Sequence, residues 1–244
     1  MEFMRRIIAT QSSLNDGLIG ALLGALVGGV LALLGSFWVA KKQAKAQAEM
    51  NRRETIYKPL YDELKRIQDH ILPVNPFPTF IAFKKGSQTI MPHPQYGVWG
   101  EIKLDSRLLE TPKALVKQME ELYLKIEGYL TINPRARDEV RNVLNEVLAE
   151  NNQQLCSIIN VGDSLIPCVF QDNGNGIYDI AMRYANVNLD EETKGKINAA
   201  VHQKCTENQL MLDMQKSYND YVTVQRKAID LLRKLIQRSM RQSY

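Results

Sequence analysis

The stretch "GLIGALLGALVGGVLALLGSFWVAKK", Gly17 to Lys42, decides the organisation of this chain. Gly17 to Ala40 carries no charge. A helix rises ~1.5 Å per residue, so the run reaches ~36 Å, enough for a ~30 Å hydrocarbon layer with some tilt. Three readings compete. A buried core helix of a soluble protein would carry a polar stripe, and this run has none. A cleaved signal sequence has an apolar region of ~7–15 residues and small residues before the cut. Here the run is longer, and Trp38 stands where a cut after Ala40 wants a small side chain. The composition therefore predicts a transmembrane helix over 17–40, preceded by a short tail, 1–16.

The flanks set its direction. Arg5 and Arg6 precede the run, while Lys41, Lys42, Lys45, Arg52 and Arg53 follow it. Lys and Arg are retained on the cytoplasmic side, which predicts an N-terminus outside and a C-terminal domain in the cytoplasm. Phe37 and Trp38 then fall at the interface, where aromatic rings settle. Gly20, Gly24 and Gly28 recur every four residues, as do Ala21, Ala25 and Gly29. Positions four apart share a helix face, and small residues there let two backbones approach in lipid. The span is expected to self-associate through this face.

The charge is unevenly spread. The net charge is +4, but residues 41–53 hold +4 and residues 226–244 hold +5, leaving −5 for 54–225. Cys156, Cys168 and Cys205 are an odd count and suggest no disulfide framework. An acidic body repels nucleic-acid phosphate, so anionic lipid is the nearer polyanion for the basic ends.

Beyond the span the expected fold is mainly α: a bundle-like cytosolic domain with a long C-terminal helix, leaving room for a small β-hairpin. Ile56, Leu60, Leu64, Ile67 and Ile71 form a helical stripe, so 41–71 reads as a juxtamembrane helix bent at Pro59. Residues 72–110, with Pro73, Pro76, Pro78, Pro92 and Pro94, read as an irregular connection. Its Gly86-Ser87 turn admits a hairpin, and Phe77, Phe80, Phe83, Tyr96 and Trp99 are expected to anchor it to the body. Residues 111–244 read as the helical domain. Thr111-Pro112 and Asn133-Pro134 both look like helix starts, predicting two antiparallel helices joined by a tight turn. "DNGNG" (172–176) is a turn signal that admits a second hairpin. Gly174 and Gly176 stand where a calcium loop needs oxygen ligands, which argues against calcium. The last helix is expected over 206–240, with Gln225 the one polar break in its stripe.

No phosphate loop, dinucleotide fingerprint or hydrolase motif is present, and the histidines, His70, His93 and His202, lack the partners that nucleophilic catalysis needs. His202 and Cys205 share a helix face, but no second close ligand pair completes a zinc site. No catalytic residue, cofactor or metal is assigned. Arg233, Lys234, Arg238 and Arg241, with the apolar Leu231, Leu232, Leu235, Ile236 and Met240, make the last helix basic and amphipathic. Such a helix can rest on anionic head groups beside Lys41, Lys42, Lys45, Arg52 and Arg53. Alternatively its apolar face packs in the core and the charges only solvate its back.

One span, a basic juxtamembrane helix, "IYKPLYDEL" (56–64) and the block "VWGEI…LL…P…L…LY…I" (98–126) together resemble a class of uncharacterised bacterial single-pass membrane proteins. The resemblance covers residues 15–130 and implies a bacterial inner membrane, with no catalytic residues to carry over. Two functions follow as expectations. One is an anchored, non-enzymatic interaction or scaffold module, self-associating and with room for a protein partner. The other is a membrane-perturbing effector of a bacterial defence or stress system, triggered by a cytosolic signal.

Overall fold

A computed structural model of the protein describes residues 2–84, 86, 93–154, 161–182 and 189–241, with residues 2–23 and 161–163 described as backbone only. The fold is mainly α, with a long apolar helix at the N-terminal end and a long helix at the C-terminal end. It divides into two compact units, Met1–Asn51 with Ser239–Tyr244, and Arg52–Arg238.

Helix α1 spans Glu2–Arg52 and α2 spans Lys58–Arg66. A wide π-helical turn, Arg53–Tyr57, stands just before Pro59, and the helical path continues through it. Proline has no N–H for the carbonyl four residues back. That carbonyl belongs to Thr55, and Arg107 supplies the missing donor from Nη1 at 3.3 Å. Asp105 holds the guanidinium in place, at 2.7 Å from Nη2. A second π turn, Ile67–Ile71, ends the path. The predicted stripe is realised: Ile56, Leu60, Leu64, Ile67 and Ile71 are all buried.

Residues 72–110 are more ordered than their prolines suggest. They contain α3 (Gly97–Lys103) and α4 (Arg107–Glu110). A bridge pairs Ala82 with Gln95, and most of the expected Gly86-Ser87 hairpin lies outside the described residues. Phe77 sits at φ 54°, a left-handed conformation that is costly for an aromatic residue. Its buried ring packs 4.4 Å from Tyr218 and 5.7 Å from Phe170, centroid to centroid. Phe83, Tyr96 and Trp99 also anchor the segment as expected, whereas Phe80 is half exposed.

The predicted antiparallel pair over 111–150 does not form. Lys113–Glu150 is one 38-residue helix, α5, which runs straight through Pro134. Thr111 does not cap it, since its hydroxyl donates to the Arg107 carbonyl. Asn133 is not a cap either: it is fully buried and donates to the Tyr129 hydroxyl at 2.7 Å. The apolar face explains the continuity. Ile126, Tyr129, Asn133, Ala136 and Val140 keep the helical spacing across the proline, so a turn there would unbury half the stripe.

The second hairpin is absent too. "DNGNG" joins α6 (Val161–Phe170) to α7 (Ile177–Ala181), and the described residues form no strand. Gly174 turns at φ +84° and lies against the next helix; a Cβ there would meet the His202 Cβ at 2.7 Å. That helix, α8 (Glu191–Glu207), opens on Asp190, which accepts from the Thr193 N–H. The final helix, α9, begins at Gln209 rather than at 206. Asn208 separates the two helices. Its side-chain oxygen accepts from the Leu210 and Met211 N–H groups, and its amide donates to Glu139 at 2.7 Å.

Candidate functional site

The apolar segment is bare. From Gly24 to Ala40 every position is exposed, with Leu33, Phe37 and Trp38 each 70% accessible. Nothing lies within 4 Å of a Cβ built at Gly24, Gly28, Gly29 or Gly35, so the small-residue face is open. Ala25 shares this exposure; positions 20 and 21 lie where only backbone is described. Nine large apolar side chains between Leu26 and Val39 stand in the open. Covering them is worth on the order of 10–20 kcal/mol, comparable to the entire stability of a typical domain. Among the described residues this is the one helix long and apolar enough to cross a membrane, a property it shares with signal sequences.

The basic flank splits in two. Lys41, Lys42 and Lys45 are exposed, and no ion pair engages them among the described residues. Arg52 and Arg53 are partly buried, and Arg53 Nε is 2.9 Å from Glu54. On α9, Arg233 pairs with Asp230 at 3.0 Å, while Lys234, Arg238 and Arg241 are exposed. The apolar face of this helix is already used: Leu232 is fully buried, and Leu231, Leu235 and Ile236 pack against the core. The apolar face of α9 thus packs in the core.

A buried polar network inside the domain was not foreseen. Gln225 occupies the polar break in the α9 stripe and is fully buried. Its amide donates to the Leu64 carbonyl at 3.2 Å, and its oxygen accepts a very short bond from the Tyr96 hydroxyl. The Tyr96 and Tyr221 hydroxyls lie 2.6 Å apart, and Tyr123 donates to the Tyr96 carbonyl at 2.6 Å. Beside them, Glu63 on α2 accepts from the Gly97 and Val98 N–H groups at 3.0 and 3.1 Å. Burial pushes the Glu63 carboxyl up to about 7 despite these two bonds and nearby Arg66. Burial also raises the Tyr96 and Tyr221 hydroxyls, which stay protonated. The polar break was the sequence signal for Gln225; Glu63 gave none, because its partners arrive from 34 residues away.

The two described thiols, Cys168 and Cys205, are buried. Burial raises Cys168 and pushes Cys205 up to about 12. Cys156 lies outside the described residues. The ring of His202 lies 3.0 Å from the Val169 carbonyl through Nδ1. Among the described residues no three His, Cys, Asp or Glu side chains gather as metal ligands would. Compared with protein-family models, curated proteins and solved structures, the chain has no significant match to any of them.

Proposed function

We propose that this protein is a single-pass membrane module of the bacterial inner membrane, with the N-terminal side of the span outside and a non-enzymatic helical domain in the cytoplasm. The bare, uncharged helix from Gly24 to Ala40 carries the reading. Its exposure suits lipid, where no hydrophobic penalty attaches to leucine on every side. A retained span also accords with the helical path, which runs unbroken past Ala40 to Ile71. A signal sequence would need an accessible cut there, beside Trp38. Orientation rests on Lys41, Lys42 and Lys45 against Arg5 and Arg6.

The open face at Gly24, Ala25, Gly28 and Gly29, extended by Gly20 and Ala21, supports association of two spans. In this reading the module scaffolds: the span pairs copies, and the helical domain presents a surface to a protein partner. The test is extraction. The full-length, uncut chain is expected to remain in membranes through a carbonate wash and to leave them when residues 1–40 are deleted. Release of the full-length chain would refute anchorage. Cross-linked dimers lost on changing Gly24 and Gly28 to Leu would locate the pairing face. Growth arrest on expression that requires the span would instead favour the membrane-perturbing effector.

A further inference from the structure

Resting on the anchored reading above, we propose that the two ends of the chain together form one contact for anionic lipid head groups. The contact comprises Lys41, Lys42 and Lys45 on α1 and Arg241 at the tip of α9, all within the smaller unit.

The placement comes from the smaller unit. Ser239–Tyr244 belongs with Met1–Asn51, although nearly 200 residues of chain separate them. On α1, Ala46, Glu49 and Met50 are partly withdrawn from solvent while positions 41–45 are fully exposed. Spacings of three and four put these residues on one face. On α9, Ser239 is buried and Met240 and Arg241 are exposed. Ala46 lies six residues past Ala40, ~9 Å along the helix axis. The head-group layer is ~5–8 Å deep on each side of the bilayer. Lys41, Lys42 and Lys45 therefore stand in that layer, and the tip of α9 stands within about one Debye length of it.

The chemistry selects the ligand. No ion pair neutralises these four cations among the described residues, whereas Lys58, Lys65, Lys125 and Lys204 all have acidic partners. Four cations beside the membrane suit lipid phosphates of net negative charge and gain little from zwitterionic ones. With its apolar face packed in the core, α9 cannot lie flat and insert. The contact is by side-chain charge alone, so it weakens with salt.

The test uses the full chain in lipid nanodiscs, either neutral phosphatidylcholine or phosphatidylcholine with about one third phosphatidylglycerol. Trypsin cleavage after Arg241, and acetylation of Lys41, Lys42 and Lys45 relative to Lys58, are followed by mass spectrometry. Both are expected to slow at least about fivefold in the anionic discs and to recover in high salt. Equal rates in the two lipids, or protection indifferent to salt, overturn the proposal. Protection of the lysines without Arg241 overturns the joint contact. Protection by an oligonucleotide in neutral discs, without a lipid effect, assigns the patch to nucleic acid instead. Failure to float with either disc would count against the anchor itself, whereas floating with both at equal rates removes only the lipid contact.

Discussion

Glu63 offers the sharpest test of the helical domain. Its carboxyl is raised from 4.5 to about 7, chiefly by burial and slightly by Glu101, against the lowering effects of the Val98 and Gly97 N–H groups and Arg66. A carboxyl raised on folding is more easily ionised in the unfolded chain. Its contribution to stability is therefore fully present below 4.5 and is lost as pH rises through 7. At about 1.4 kcal/mol per unit the whole loss is at most ~3.5 kcal/mol, and ~2.5 kcal/mol of it falls between about pH 5 and pH 8. Glu63→Gln keeps an oxygen to accept from Gly97 and Val98 and cannot ionise. The variant should match the wild type near pH 5 and exceed it by ~2 kcal/mol or more near pH 8. Urea unfolding of the full chain in neutral detergent, read by Trp99 fluorescence in a Trp38→Phe background, measures both. A stability difference between the two proteins that stays constant across this range would refute burial as the dominant effect on Glu63.

Gln225→Leu should lower stability by about 2–4 kcal/mol in the same assay, because the Leu64 carbonyl and the Tyr96 hydroxyl lose buried partners together. A neutral effect would mean that water or a rearrangement satisfies them. Gly174→Ala should cost about 2 kcal/mol or more, since φ +84° disfavours a side chain and the new methyl meets His202. Pro134→Ala should stabilise α5, by up to ~3 kcal/mol, as it restores a backbone donor within a continuous helix. Loss of stability there would show that the proline marks a needed break.

The long apolar run was legible because its signal is compositional: no charge over more than 20 residues survives any detail of packing. Helical periodicity likewise placed the buried faces of α2, α5 and α9, and the aromatics of 72–110 do serve mostly as anchors. Tertiary partners decided what remained. Asn208 ends a helix because Glu139 of α5 holds its amide while its oxygen caps the next turn. Nothing local to Asn208 announces Glu139. Arg107 could not be linked to Thr55 from sequence, since 52 residues separate them. Turn chemistry misled at "DNGNG": its positive-φ positions, Asn173, Gly174 and Gly176, do form a turn, but the apolar runs beside it are short helices.

The prolines separate two kinds of evidence. Pro59 and Pro134 each look like a boundary by local rules, and neither ends the helical path. At both, the apolar stripe stays in phase: Ile56, Leu60 and Leu64 across the first, Tyr129, Asn133, Ala136 and Val140 across the second. Ending the helix there would cost the burial of several core side chains, each worth about 1.5–3 kcal/mol, against about 3 kcal/mol for a proline inside a helix. Burial wins, and the lost donor is tolerated, at Pro59 through a π turn and Arg107. Pro73, Pro76 and Pro78 have no stripe continuing through them, and there the helix does end. Asn133 concealed this phase because a polar residue reads as a gap in the stripe, yet both it and Gln225 occupy core positions. A polar residue in phase on a buried face is thus a candidate core hydrogen-bond donor before it is a candidate break, and here the two such residues hold Tyr129 and Tyr96, the tyrosines that tie the proline-rich segment to the helices.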